Sequence, residues 1–277
     1  MKARGCLLSH RYLSLNNPRN VPQECIPVVY RWCSLGFTID FLGTEEVALQ
    51  SKSELSLSAI DAVCGRRSIR RFLSDAVPES IVRDILNLAS RAPSATNSQP
   101  WLVHVVTDTA RDRLSKAVIA AARANEISPE YLATPDPWWE PFLTRRRKVG
   151  YDLYALYGID RQDKAARKLA ALRNFEFFGA PVGLFFTMER ALLYGSWLDV
   201  GMYMQNVMTL ARAFGLETCP QQAWCRYAAV VRRELEIDDR FLLISGMSLG
   251  YADRVARENT LTTEREPVDA FATFHSI

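Results

Sequence analysis

The sequence predicts a domain in which helices and strands are mixed along the chain, covering residues 56–277, behind an N-terminal arm of different character at 1–55. Three observations predict it. Runs rich in apolar and β-branched residues at 101–107, 181–188 and 240–250 are separated by segments with helical periodicity. The stretch 194–214 is apolar nearly all round, the mark of a buried helix. No G-x-G-x-x-G follows a strand and no G-x-x-x-x-G-K-[ST] occurs, so the glycine-rich phosphate loops are missing. A nucleotide-like cofactor would have to be neutralised by side chains.

The elements follow in order. Pro18, Pro22 and Pro27 break any helix in the arm, which reads as an extended segment lying on the globular body. The arm has neither a clear apolar h-region nor a small-residue cleavage site, and its acid-poor start resembles a transit peptide only weakly. Ser58 to Cys64 reads as a short helix stopped at Gly65. Val77 to Arg91 reads as a helix with Val77, Ile81, Ile85, Leu88 and Ala89 as its apolar stripe. The loop Ala92 to Pro100 leads into a buried strand from Trp101 to Thr107, and a helix runs from Thr109 to Asn125. Residues 128–178 form a long excursion with helical stretches around 140–157 and 162–176. Pro181 to Met188 is a continuous apolar strand, as expected where both faces are covered. The helix Tyr194 to Phe214 has no polar face, and a subunit interface is one way to cover its second side. Arg240 to Gly250 is the third strand. The tail Thr262 to Ile277, with Val268, Phe271 and Phe274, is too apolar to hang free.

Composition narrows the function classes. Apolar residues make up 48% and charged residues 23%, ordinary globular values, and the net charge of +3 with dispersed basic residues argues against nucleic acid as the main partner. The 6 cysteines form no C-x-x-C pair and the 3 histidines lie far apart, so no zinc spacing is visible and no metal is expected. Free thiols point to a reducing compartment, the cytoplasm. No run of about 18 or more apolar residues marks a membrane span.

Two segments carry candidate chemistry. Arg66-Arg67-Ser68-Ile69-Arg70-Arg71-Phe72 places 4 arginines and a serine hydroxyl close together. Guanidinium forks match phosphate oxygens, although alone the segment reads equally as a solvated basic turn. Ala92-Pro93-Ser94-Ala95-Thr96-Asn97-Ser98-Gln99-Pro100-Trp101 is a polar loop whose Asn97 and Gln99 suit the mixed edge of a flavin or a base, or simply cap a strand.

Together these segments resemble the paired signature of the FMN-dependent nitroreductase family: R-R-S-x-R-x-F, then A-P-S-x-x-N-x-Q-P-W about 20 residues later. Leu198-Asp199-Val200-Gly201 in the long apolar helix, Gly215-Leu216-Glu217-Thr218-Cys219-Pro220-Gln221 after it, Phe178-Gly179-Ala180-Pro181-Val182 and Leu249-Gly250-Tyr251 extend the resemblance over about residues 56–277.

The resemblance implies an α+β fold with a mixed, mostly antiparallel sheet flanked by helices, in an intertwined homodimer whose C-terminal segment crosses to the partner. It implies FMN at the interface. Arg66, Arg67 and Ser68 would surround the phosphate and ribityl chain. Arg70 would approach the pyrimidine edge. Pro93, Ser94 and Asn97 would reach the ring from the other subunit. Asn174 would lie near the flavin, and Pro220, Gln221, Gln222 and Ala223 would face N5 through backbone groups. Arg265 resembles a C-terminal phosphate-binding arginine, while Thr262 stands where the family often has a second basic residue.

NADPH or NADH would pass hydride through FMN to a nitroaromatic in ping-pong fashion, with no catalytic side chain required. Residues 128–178 would form a helical flap in which Trp138, Trp139, Tyr151 and Tyr154 stack on the substrate or simply pack the flap. The run Arg145–Lys148 would attract NADPH phosphates or form a solvated face. Reductive dehalogenation, another flavin reduction on the same fold, or flavin binding without turnover are the alternatives.

Overall fold

The computed structural model describes residues 57–276, so the expected arm at 1–55 lies outside the described residues. Four strands pair antiparallel in the order β1-β2-β4-β3: β1 Leu102–Thr107, β2 Val182–Glu189, β3 Glu217–Gln221 and β4 Phe241–Gly250. A single parallel bridge joins Ser68 to Thr218, so the sheet is antiparallel apart from this contact. Seven α-helices surround it among the described residues: α1 Ala59–Gly65, α2 Glu79–Ala89, α3 Asp108–Ala124, α4 Phe142–Leu156, α5 Lys164–Leu172, α6 Gly195–Ala213 and α7 Ala228–Leu235.

The period of the central strand builds two cores. On β2, Val182, Leu184, Phe186 and Met188 face one way and join Val82, Ile85, Val200 and Tyr203 of α2 and α6. Phe185 faces the other way, with Phe177, Trp224, Leu114 and Val231. Glycines admit the aromatic side chains on that face: a Cβ on Gly246 would run into the Trp224 indole, and one on Gly183 into the Phe177 ring. Phe177 and Phe178 both take left-handed backbone, a conformation bulky residues avoid unless packing fixes it.

Several local readings shift. The buried stripe of α2 is Val82, Ile85 and Ala89, because the helix meets α6 with that edge. Strand β1 is an edge strand in which Val106 alone is buried, rather than a buried strand. Strand β3 and helix α7 are additional to the sequence reading. Pro220 within β3 weakens any strand pattern, yet an edge strand tolerates a residue without an N–H. The Pro220–Ala223 segment is therefore a strand end followed by the 3₁₀ turn Gln222–Tyr227. No described helix is long and apolar enough to cross a membrane.

Candidate active site

Helix α1 starts on a Ser58 cap, whose Oγ accepts from Asp61 N at 3.1 Å, and it ends where Arg66 turns extended. From there residues 66–73 run as a ribbon stitched to the sheet. Ile69 N donates to Thr218 O at 3.0 Å, Phe72 N to Phe178 O at 3.1 Å and Leu73 N to Tyr251 O at 2.9 Å. Ile69 and Phe72 are buried and anchor it.

The guanidinium groups of Arg66 and Arg67 make no hydrogen bond or salt bridge with any described residue. Arg70 donates from Nη1 to Ser68 O at 3.1 Å. Burial pushes the Cys219 thiol up to about 11, against the opposing pull of Arg70, Ser68 and Arg66. Arg67 lines a cleft of about 310 Å³ with Ile69, Arg212, Glu217 and Arg254. Burial raises the Glu217 carboxyl, opposed by Arg212, Arg254, Arg67 and Arg66, and Arg212 Nε stands 3.5 Å from it.

The second sequence segment is a strained loop. Thr96, Asn97 and Gln99 all have positive φ. Ser94 Oγ accepts from Gln99 N at 3.0 Å, Asn97 N donates to Ser94 O at 3.0 Å, and Ala95 N donates to Asp199 Oδ2 of α6 at 3.3 Å. Asp199 is a residue whose positioning role the sequence reading missed, although an acid inside an apolar helix was a signal for it.

Asn174 and Gln221 meet. Gln221 Nε2 donates to Asn174 O at 2.7 Å and Gln221 Oε1 accepts from Ser248 Oγ at 2.7 Å, so this side chain is held by internal partners. Asn174 Nδ2 donates to Ala171 O at 3.0 Å. Gln222 Nε2 lies 3.5 Å from Tyr131 Oη, and Ala223 packs against the core.

The excursion 128–178 is tied down near its start. Tyr131 donates to Ile244 O at 2.6 Å and meets Trp197 of α6 edge-on at 4.7 Å. Glu130 pairs with Arg190 and Arg232. Between α4 and the C-terminal segment lies a cleft of about 620 Å³ lined by Trp138, Phe142, Arg146 and Arg265 among others. Of the four aromatic candidates Trp138 alone lines it. Trp139 packs edge-on against Phe142 at 5.6 Å, Arg161 covers Tyr151 at 4.2 Å and Arg167 covers Tyr154 at 5.9 Å. In the basic run, Arg145 pairs with Glu266 at 2.8 Å and Lys148 with Asp152 at 2.8 Å. Arg265 bonds only to Thr263 and Glu264 nearby, and it lines this cleft rather than the one holding Arg67.

The donor set is thus two guanidinium groups without a hydrogen bond or salt bridge among the described residues and a hydroxyl on a fixed ribbon, with a third arginine following. That chemistry fits an oxyanion such as a phosphate.

Comparison with known proteins identifies the family. Residues 63–251 match the nitroreductase family. The chain is 39% identical over 216 residues to the chloronitrobenzene nitroreductase of Comamonas testosteroni, covering 77% of this chain and 95% of that protein. It is 40% identical over 216 residues to the nitrobenzene nitroreductase of Ectopseudomonas oleovorans, with the same coverage of 77% and 95%. The FMN and NADPH-dependent nitroreductase NfnB of Sphigopyxis sp. strain HMH superposes with a TM-score of 0.78 at 38% identity, covering 80% of this chain and 100% of that one. Sequence, ribbon and fold lead to one assignment: the chain belongs to the nitroreductase family.

Proposed function

We propose that this chain is an FMN-dependent oxidoreductase that takes electrons from NADPH or NADH and reduces nitroaromatic compounds, acting as a homodimer in the cytoplasm. The observation that carries the reading is the fixed ribbon whose Arg66 and Arg67 guanidinium groups have no hydrogen bond or salt bridge among the described residues, in a chain so similar to nitroarene reductases. When bound, FMN supplies reversible two-electron chemistry between a nicotinamide and an oxidant, and this is why no nucleophile or metal is needed.

The chain's own residues hold and tune that group. Arg66, Arg67 and Ser68 bind the phosphate end. Arg70 offsets negative charge that develops at the pyrimidine edge on reduction. Pro93, Ser94 and Asn97 shape the neighbouring protomer's site, held in place by Asp199. Pro220, Gln221, Gln222 and Ala223 offer backbone groups, with Asn174 beside them. Trp138 belongs to the flap at 128–178 and offers a face for an aryl substrate, and Arg265 reaches the same cleft from the C-terminal segment.

Exposed apolar groups support the dimer. Leu198 on the outer face of α6 is 72% exposed, and Phe271 and Phe274 of the tail are 72% and 80% exposed in the single chain. Free Cys64, Cys219 and Cys225 support a reducing compartment.

The test is spectroscopic. The purified protein is expected to carry a yellow flavin that bleaches when NADPH or NADH is added without oxygen and recovers on addition of nitrobenzene. A flavin that stays oxidised would sink the enzymatic reading, and size-exclusion light scattering at the monomer mass would sink the dimer.

A further inference from the structure

We propose that Arg173, Glu258 and Asn259 form a clasp that positions Arg70, so that these three residues govern how tightly the site holds FMN and how readily the bound flavin is reduced. The inference rests on the flavin reading given above.

The geometry is unusual for an exposed basic segment. Both backbone polar groups of Arg70 end on side chains from distant parts of the chain. Its N–H donates to Asn259 Oδ1 at 2.7 Å, across 189 residues, and its carbonyl accepts from Arg173 Nη2 at 3.0 Å, across 103. Asn259 also donates to the carbonyls of Arg71 and Asp253, each at 2.8 Å. Arg173 sets both terminal nitrogens on Glu258 Oε1 at 3.1 Å. Glu258 is 8% exposed and Asn259 9%. A buried polar network of this kind is stable only when its members are satisfied, and it then fixes one arrangement.

The clasp joins three segments. Arg173 opens the turn that ends the excursion at 128–178, Glu258 and Asn259 lie in the 3₁₀ turn Arg257–Thr260 after β4, and Arg70 lies on the ribbon. Arg173 also lies over the Tyr157 ring at 5.0 Å. The Tyr157 phenol is raised by burial against the pull of Arg173 and Arg70 and stays neutral at ordinary pH, so it adds no charge to offset these arginines. Among the described residues the Arg70 head group is tied to Ser68 O alone, leaving further N–H donors for a ligand. Because charge–charge energy varies with separation, an arginine released from its backbone mooring stabilises a reduced ring less. Arg173, Glu258 and Asn259 are positioning residues here, since they act through Arg70.

The test uses the full-length chain and FMN as probe. The variants are Arg70→Met, the pair Arg173→Met with Glu258→Gln, and all three together. The paired change avoids leaving the Glu258 carboxylate buried with only Arg71, at 3.8 Å, to balance it. Flavin-fluorescence quenching gives the FMN Kd and spectroelectrochemistry gives the midpoint potential. Arg70→Met is expected to raise Kd about tenfold and lower the potential. The paired variant is expected to move both in the same direction by less, and to add nothing once Arg70 is gone. Additive effects, or a paired variant that changes only thermal stability, overturn the proposal. If the paired variant does not fold, Arg173→Lys keeps the charge but loses the planar fork; a Kd rise of about threefold supports the clasp and an unchanged Kd overturns it. A wild-type chain that binds no FMN overturns the flavin reading and this one together. Wild-type binding with a silent clasp overturns this one alone.

Discussion

Two arginine-rich regions of this molecule behave in opposite ways. The ribbon at 66–72 is fixed by backbone hydrogen bonds to β3 and to the segments flanking β2 and β4, with Ile69 and Phe72 buried beneath it. The excursion at 128–178 also carries a dense basic run, Arg145–Lys148, yet neither α4 nor α5 contains a buried residue. Five of the excursion's cations have neighbours: Arg145 pairs with Glu266, Lys148 with Asp152, and Arg146, Arg161 and Arg167 lie over aromatic rings. On the ribbon, Arg66 and Arg67 are free of such partners among the described residues. Density of positive charge therefore does not mark an anion site. A fixed backbone that leaves head groups unpaired does.

The largest test of this contrast compares one phenylalanine from each region. Phe72→Ala is expected to cost about 3–5 kcal/mol of stability, because it empties a buried anchor. Phe142→Ala, on the half-exposed face of α4, is expected to cost roughly 1 kcal/mol or less. Chemical denaturation followed by circular dichroism measures both, and equal losses would erase the distinction.

Arginine substitution is next in size. Arg66→Ala is expected to weaken FMN binding by roughly 10- to 100-fold, since a charge-assisted phosphate contact is worth about 1.5–3 kcal/mol. Arg145→Ala is expected to leave FMN affinity within about twofold, because it removes an exposed ion pair. Unchanged affinity in Arg66→Ala would remove that residue from the site.

The smallest effect concerns the thiols beside the ribbon. Cys64, where α1 ends, is exposed, whereas burial raises Cys219 and Cys225 to about 11. A raised thiol pKa keeps the unreactive protonated form at neutral pH, and the thiolate appears only as pH climbs toward that value. Iodoacetamide at pH 7.5 followed by peptide mapping is expected to label Cys64 well before the other two. Rapid labelling of Cys219 would show that the ribbon opens.

Much of this molecule was legible in its residues, and the omissions have identifiable causes. The strands at 101–107, 181–188 and 240–250 and the long helix α6 are announced by continuous apolar runs. Strand β3 is five residues, Glu-Thr-Cys-Pro-Gln, whose polar ends and proline resemble a loop until β4 pairs with them. Arg66, Ser68 and Arg70 carry a recognisable spacing, but that spacing does not say that Arg67 also lines a cleft with Arg212 and Glu217. In the excursion, the aromatics announced a substrate face, yet Tyr151 and Tyr154 are covered by arginines, and Trp138, which lines the cleft, has Arg146 over its ring at 5.4 Å.

The sequence by itself determined the mixed helix-and-strand composition, the basic ribbon and the polar loop before β1, because these rest on local pattern and residue chemistry. Tertiary structure alone decided which arginines stay free and what holds them. Arg173, Glu258 and Asn259 meet Arg70 across more than 100 residues of chain, and no local signal encodes that meeting. A buried hydrogen bond between distant segments exists only once the sheet has brought its partners together.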